Sequence, residues 1–160
     1  MKATAVFQGK LKDSYCSFYQ DEQMGPVKIN GHISGLPPGK HGFHIHTYGD
    51  LRSTDCSKCG GHWNPRGKDH GGLRDIHSHA GDLGNITANS NGDASFHIKT
   101  DKITLQGRNS ILGRSIVIHY DEDDLGKGGH SDSHVTGHAG GRIDCAVIGY
   151  ARYYLQYNNQ

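Results

Sequence analysis

The chain has 160 residues, of which 33% are hydrophobic and 24 are glycine, and its formal net charge is +1. A chain of this length makes one domain, residues 1–160, with a sizeable core. The near-zero charge excludes a basic field for nucleic acid, and no apolar run approaches a membrane span. Glycine stands at about twice its usual share of roughly 7%. Apolar residues show almost no sustained i, i+3, i+4, i+7 spacing, so short strands and turn-rich loops are expected instead of helices. Residues 1–12 lack an apolar stretch of signal-peptide length, which points to a soluble, cytoplasmic protein.

The first predicted strand alternates Ala3, Ala5 and Phe7 with Thr4, Val6 and Gln8. A second alternates Val27, Ile29 and Gly31 with Lys28, Asn30 and His32. Pro37-Pro38-Gly39 breaks the chain before a strand carrying His44-Ile45-His46. Asn91-Gly92-Asp93 is a hairpin signal between Ile86 and the strand alternating Ala94, Phe96 and Ile98 with Ser95, His97 and Lys99. A denser apolar run over residues 116–118 ends at His119, and another covers residues 145–150. Together these predict an all-β, antiparallel sandwich or flattened barrel of about eight short strands. Residues 47–81 and 121–141 fit no strand. Loops this long are usually functional, and their Gly, His and Asp content suggests that metal ligation and a cross-link order them.

Thirteen histidines are the compositional excess, and metal binding accounts for it best. Side chains two apart in a strand share a face about 6.5–7 Å apart along the backbone, so His44 and His46 can close on one ion. His62, His70, His79, Asp82 and His119 follow. Imidazole suits copper and zinc, and a carboxylate joining three histidines suits zinc. Two neighbouring metal sites are expected. Cys16, Cys56, Cys59 and Cys145 are too few and scattered for a disulfide scaffold; Cys56-Ser57-Lys58-Cys59 has the form of a redox or zinc pair, but without a second C-x-x-C or a surrounding βαβ pattern the motif is weak.

Gly42-Phe43-His44-Ile45-His46, Gly61-His62-Trp63-Asn64-Pro65, His70-Gly71-Gly72, residues 79–85 (HAGDLGN), residues 124–129 (DLGKGG) and Gly140-Gly141-Arg142 occur in this order. In order and interval the chain resembles the copper–zinc superoxide dismutases of the eukaryotic cytosolic type, over roughly residues 3–151. The resemblance implies an eight-stranded Greek-key β-sandwich or flattened barrel with two long functional loops. It implies an enzyme that converts superoxide to oxygen and hydrogen peroxide using one copper and one zinc per chain. Copper is the redox metal of such a pair, because zinc has no redox chemistry.

By that resemblance copper is held by His44, His46, His62 and His119. Zinc is held by His62, His70, His79 and Asp82, with His62 bridging the two and supplying a proton. Asp123 links His44 to His70, fixing ring orientation. Cys56 and Cys145 form the disulfide, and Arg142 positions the anionic substrate without itself titrating. His41 ties backbone segments together behind the copper. His32 and His97 read as ordinary strand histidines, and His77, His130, His134 and His138 as solvated loop residues. Cys59, without a partner in the pattern, is expected to be a free, partly exposed thiol, and Cys16 a small buried hydrophobe.

The family's two-fold dimer uses positions matching Gly49, residues 111–113 and residues 149–150, so a homodimer is expected, with a copper-delivery chaperone as a further partner. Residues 152–160 extend past the usual family end as a tyrosine-rich tail. In residues 129–136 only Asp132 remains of the family's acids, and Val135 stands at its lysine position. Steering of superoxide is therefore expected to differ while the chemistry is kept. A cupin-like dioxygenase also uses His-x-His but needs a glutamate shortly after, and residues 47–51 contain none.

Overall fold

The computed structural model describes residues 1–21 and 25–152. Its strands are β1 (Lys2–Val6), β2 (Tyr15–Tyr19), β3 (Val27–Ile33), β4 (Gly39–His46), β5 (Asp82–Ala88), β6 (Ala94–Thr100), β7 (Ser115–His119), β8 (Arg142–Val147) and β9 (Gly149–Tyr150). Two antiparallel sheets result, ordered β6-β3-β2-β1-β9 and β5-β4-β7-β8. The chain changes sheet between β3 and β4, returns between β5 and β6, and crosses again to β7, which pairs with β4. The expected sandwich forms, and the sheets do not close into a barrel.

Alternation places the core between the sheets. Ala3, Ala5, Phe18 and Ile29 from one sheet meet Phe43, Ile45, Ile116 and Ile118 from the other, all essentially without solvent exposure. Burying each large side chain stabilises the fold by about 1.5–3 kcal/mol. Gly31 faces Phe96 across the β3–β6 pair, and a Cβ there would lie 2.2 Å from the Phe96 ring. The missing side chain lets that ring reach Phe43 edge-on, with centroids 5.0 Å apart.

The four-stranded sheet is buried on both faces where it matters. In β4, Phe43 and Ile45 point into the core, so His44 and His46 point the other way, yet all four are buried. Two long connections cover that second face: residues 47–81 between β4 and β5, and residues 120–141 between β7 and β8. The first contains only a 3-10 turn, Ser57–Cys59, and the second only a four-residue helix, Ser133–Thr136. Backbone bonds stitch the first connection to β4, Ile45 N–H donating to Gly81 O (2.8 Å) and Trp63 N–H to Ile45 O (2.8 Å), and just past the strand Thr47 N–H donates to Gly61 O (2.9 Å).

Two strand assignments differ from the sequence reading. β2 went unrecognised because Tyr15, Ser17 and Tyr19, its outward residues, blur the polar-apolar alternation, although Cys16 and Phe18 point inward. The run over residues 145–150 is split between the sheets. Ile148 exchanges backbone bonds with the segment before β7, its N–H donating to Arg114 O (2.9 Å) and its carbonyl accepting from Gly113 (2.8 Å). That bend sends β9 to pair with β1 in the other sheet. The tail over residues 153–160 lies outside the described residues.

Candidate metal centre

Strand parity, a bulge and two loops bring the histidines together. His44 and His46 come from the outer face of β4, and His119 from the end of β7, where register shifts between Ile118 and His119. His62 is delivered by a backbone bridge to His46. One ligand atom each from His44, His46, His62 and His119 lies within 4.8 Å of the others, and all four residues are buried.

Hydrogen bonding decides which nitrogen of each ring is free. Carbonyl oxygens only accept, so His46 Nδ1–H donates to Gly60 O (2.7 Å) and His119 Nδ1–H to Gly140 O (3.1 Å). Each then offers the lone pair of Nε2, and these two nitrogens face one another at 3.3 Å. His44 Nε2–H donates to Asp123 Oδ2 (2.6 Å), leaving Nδ1 without a hydrogen-bond partner among the described residues. His62 turns Nδ1 away toward Asp82, and its Nε2 likewise lacks a partner among them. Buried lone pairs converging without donors are costly alone and are what a bound cation satisfies. An all-imidazole set suits copper or zinc.

A second cluster adjoins the first. Asp82 Oδ1 lies 2.9 Å from Nδ1 of His62, 2.9 Å from Nδ1 of His70 and 3.3 Å from Nδ1 of His79. His70 Nδ1 has no well-aligned hydrogen bond despite that distance, the mark of two groups aimed at a common point instead of at each other. The tightest second grouping, within 4.8 Å, contains His44, His62, His70 and Asp82. His44 enters it by proximity, and its one free nitrogen already belongs to the first cluster. His79 Nδ1 stands 3.1 Å from His62 Nδ1, at the edge of the second cluster. Three imidazoles and a carboxylate suit zinc. Asp82 Oδ2 accepts from the backbone of Gly71 (3.0 Å) and His79 (2.8 Å), which fixes the carboxylate.

Asp123, fully buried, joins the clusters. Its Oδ2 takes the His44 bond and its Oδ1 accepts from His70 Nε2 (2.8 Å). Asn85 of β5 clamps its backbone from both sides, donating to Asp123 O (2.9 Å) and accepting from its N–H (2.7 Å). A Cβ at Gly137, which also has positive φ, would lie 2.0 Å from Asp123 Oδ1, so glycine is required where the second loop folds over this carboxylate.

Burial sets the charge of the rings. It pushes His44 and His46 well below the ordinary imidazole value and His119 down to about 4, and it also lowers His62. All four are neutral at pH 7, the form that ligates. Burial also acts to lower His70, but Asp123 and Asp82 outweigh it and lift the ring to about 9. Burial opposes ionisation of Asp82, yet the imidazoles of His62, His70 and His79 beside it hold it far below the usual carboxylate range.

Arg142, half-buried at the start of β8, stands across from His119. Its Nη1 donates to Cys56 O (2.7 Å), and its charge is felt at His46 and His119. Cys56 is bonded to Cys145, with Cα atoms 6.0 Å apart, and ties the first loop to β8. Cys56, Cys145 and Asp144 also lie within mutual ligand distance, but those sulfurs are spent on the disulfide.

Cys59 departs from expectation. It is fully buried, because the 3-10 turn folds it inward against Val117 and the disulfide. Cys16 is buried as expected. His41 faces the carbonyls of His119 (2.9 Å) and Pro37 (2.7 Å), a structural tie. His32 and His97 bond Ser95 and Asn30 across strands, and His77, His130, His134 and His138 are exposed. Sequence reasoning missed the carbonyls of Gly60 and Gly140, which select the ligating nitrogens, and the amides holding Asp82. Backbone groups carry no residue-type signal, and only the glycines hinted that the chain approaches closely there. The sequence profile of the copper/zinc superoxide dismutase family matches residues 13–148.

Proposed function

From the premise that the chain belongs to the copper/zinc superoxide dismutase family, we propose that His44, His46, His62 and His119 hold its copper, that His62, His70, His79 and Asp82 hold its zinc, and that Arg142 binds the substrate anion. The enzyme converts superoxide to oxygen and hydrogen peroxide. The observation carrying the ligand assignment is the convergence of buried ring nitrogens within 4.8 Å, those of His44, His62 and His70 without a hydrogen-bond partner among the described residues. Copper supplies a one-electron carrier with two oxidation states, whereas zinc supplies fixed charge without redox chemistry.

The chain's own residues do the rest. Arg142 spends one donor on Cys56 O (2.7 Å), and the charge of its guanidinium acts on His46 and His119. Always charged, it binds and orients a small anion without titrating. His62 keeps Nδ1 on the zinc side, so Nε2 is the atom at which it holds and releases one of the protons that peroxide needs. Asp123 locks His44 and His70 in the tautomers this arrangement requires.

The protein acts as a homodimer in the cytoplasm, in antioxidant defence, and takes copper from a delivery chaperone. The dimer reading is supported by the exposed apolar residues Leu51, Val147 and Tyr150. The deciding experiment is the superoxide consumption rate of copper- and zinc-loaded protein beside Arg142→Ala. The variant is expected to lose at least about tenfold in rate at unchanged copper content, the scale of electrostatic steering. Full copper occupancy without activity in the unaltered chain overturns the functional reading, and an unchanged rate in the variant removes Arg142 from it.

A further inference from the structure

The segment over residues 72–78 joins two of the proposed zinc ligands, His70 and His79. Its ends are tied through Asp82 Oδ2, which accepts from Gly71 and His79. It folds tightly on itself: Gly72 N–H donates to Asp75 Oδ2 (2.8 Å), Asp75 N–H to Gly72 O (3.1 Å) and Ser78 Oγ to Asp75 O (3.0 Å). The backbone passes so close that a Cβ at Gly71 would lie 2.4 Å from His77 O.

Into this fold reaches a side chain from elsewhere. Lys102 follows β6, on the sheet that carries none of the metal-facing histidines, and its own N–H is anchored on Thr100 Oγ1 (3.2 Å). Its ammonium donates to Asp75 O (2.6 Å), to Gly72 O (3.3 Å) and to Ser78 Oγ. An ammonium has three donors, and all three are spent on this one segment. Burial lowers the lysine, and the field of Asp82 opposes that shift.

We propose that Lys102 is a positioning residue for zinc: by gathering the acceptors of residues 72–78 onto one ammonium, it holds His70 and His79 at ligating distance. The proposal rests on the assignment of zinc to His62, His70, His79 and Asp82. Partners of this kind, outside the ligand set, typically govern metal affinity by about 10- to 100-fold. Lys102 touches no ligand side chain and acts through the loop alone.

The test is zinc release from copper- and zinc-loaded protein into a chromophoric chelator, with copper followed separately by its visible absorption. Lys102→Met keeps the stem and removes the donors, and it is expected to release zinc at least about tenfold faster with copper retained as before. Ser78→Ala, a small truncation on the opposite partner, is expected to accelerate zinc release by about threefold. Unchanged zinc release in both variants overturns the proposal, as does parallel loosening of copper and zinc, which marks general destabilisation. His79→Ala separates the two readings. If that variant releases zinc no faster than the unaltered chain, the zinc assignment itself fails and this inference with it. If it does release zinc faster while Lys102→Met does not, only the inference fails.

Discussion

Replacing both bridging cysteines, Cys56→Ala with Cys145→Ala, should destabilise the protein chiefly by freeing its unfolded chain. The bridge spans 89 positions. In the chain-entropy account, closing a loop of that length removes about 4.6 kcal/mol of unfolded-state freedom near 25 °C. Truncating two buried sulfurs adds a smaller cost of the same sign. Urea unfolding of the metal-free protein is the assay, since bound metal would add its own stabilisation and a fixed protein concentration removes any effect of association. With a slope of about 2 kcal/mol per molar, the midpoint should fall by about 2 M. Cys59→Ala, which truncates a buried thiol and leaves the bridge intact, should cost only about 1 kcal/mol. A midpoint shift below about 0.5 M in the double variant, with unchanged slope, refutes the reasoning. The first loop would then be held by its backbone bonds to β4, and the tether would add nothing.

Val135 is exposed within the second loop, so Val135→Lys adds a charge without disturbing packing. It should raise the superoxide rate by about twofold at low ionic strength and steepen its loss with salt; an unchanged salt slope would show that this position does not guide the anion. The unpaired thiols should be silent in the native state. Burial lifts Cys16 to about 12 and also raises Cys59, so at about pH 8 only about one Cys16 in ten thousand is a thiolate. Because the folded value of Cys16 exceeds its ordinary 9.0, its contribution to stability is intact below pH 9.0 and is lost as pH rises through about 12. Alkylation followed by mass analysis checks this: labelling should need unfolding, and native labelling of Cys16 at the rate of a free thiol contradicts it.

The class of fold was legible along the chain, as were the histidines and the aspartate that the fold gathers into two clusters. His44 and His46 share a face because a strand repeats every two residues, and the alternating apolar positions of β1, β3 and β6 could be read the same way. Those are short-range rules, visible along a line. Tertiary structure alone decided which nitrogen of each ring is free, because the deciding partners are the carbonyls of Gly60 and Gly140 and the carboxylate of Asp123, brought up from distant segments. It also buried Cys59 under Val117, broke the run at Ile148 to carry β9 into the other sheet, and spent the ammonium of Lys102 on a loop some thirty residues away. Each of these depends on what lies across a gap in space, and a residue's type does not encode its neighbours there.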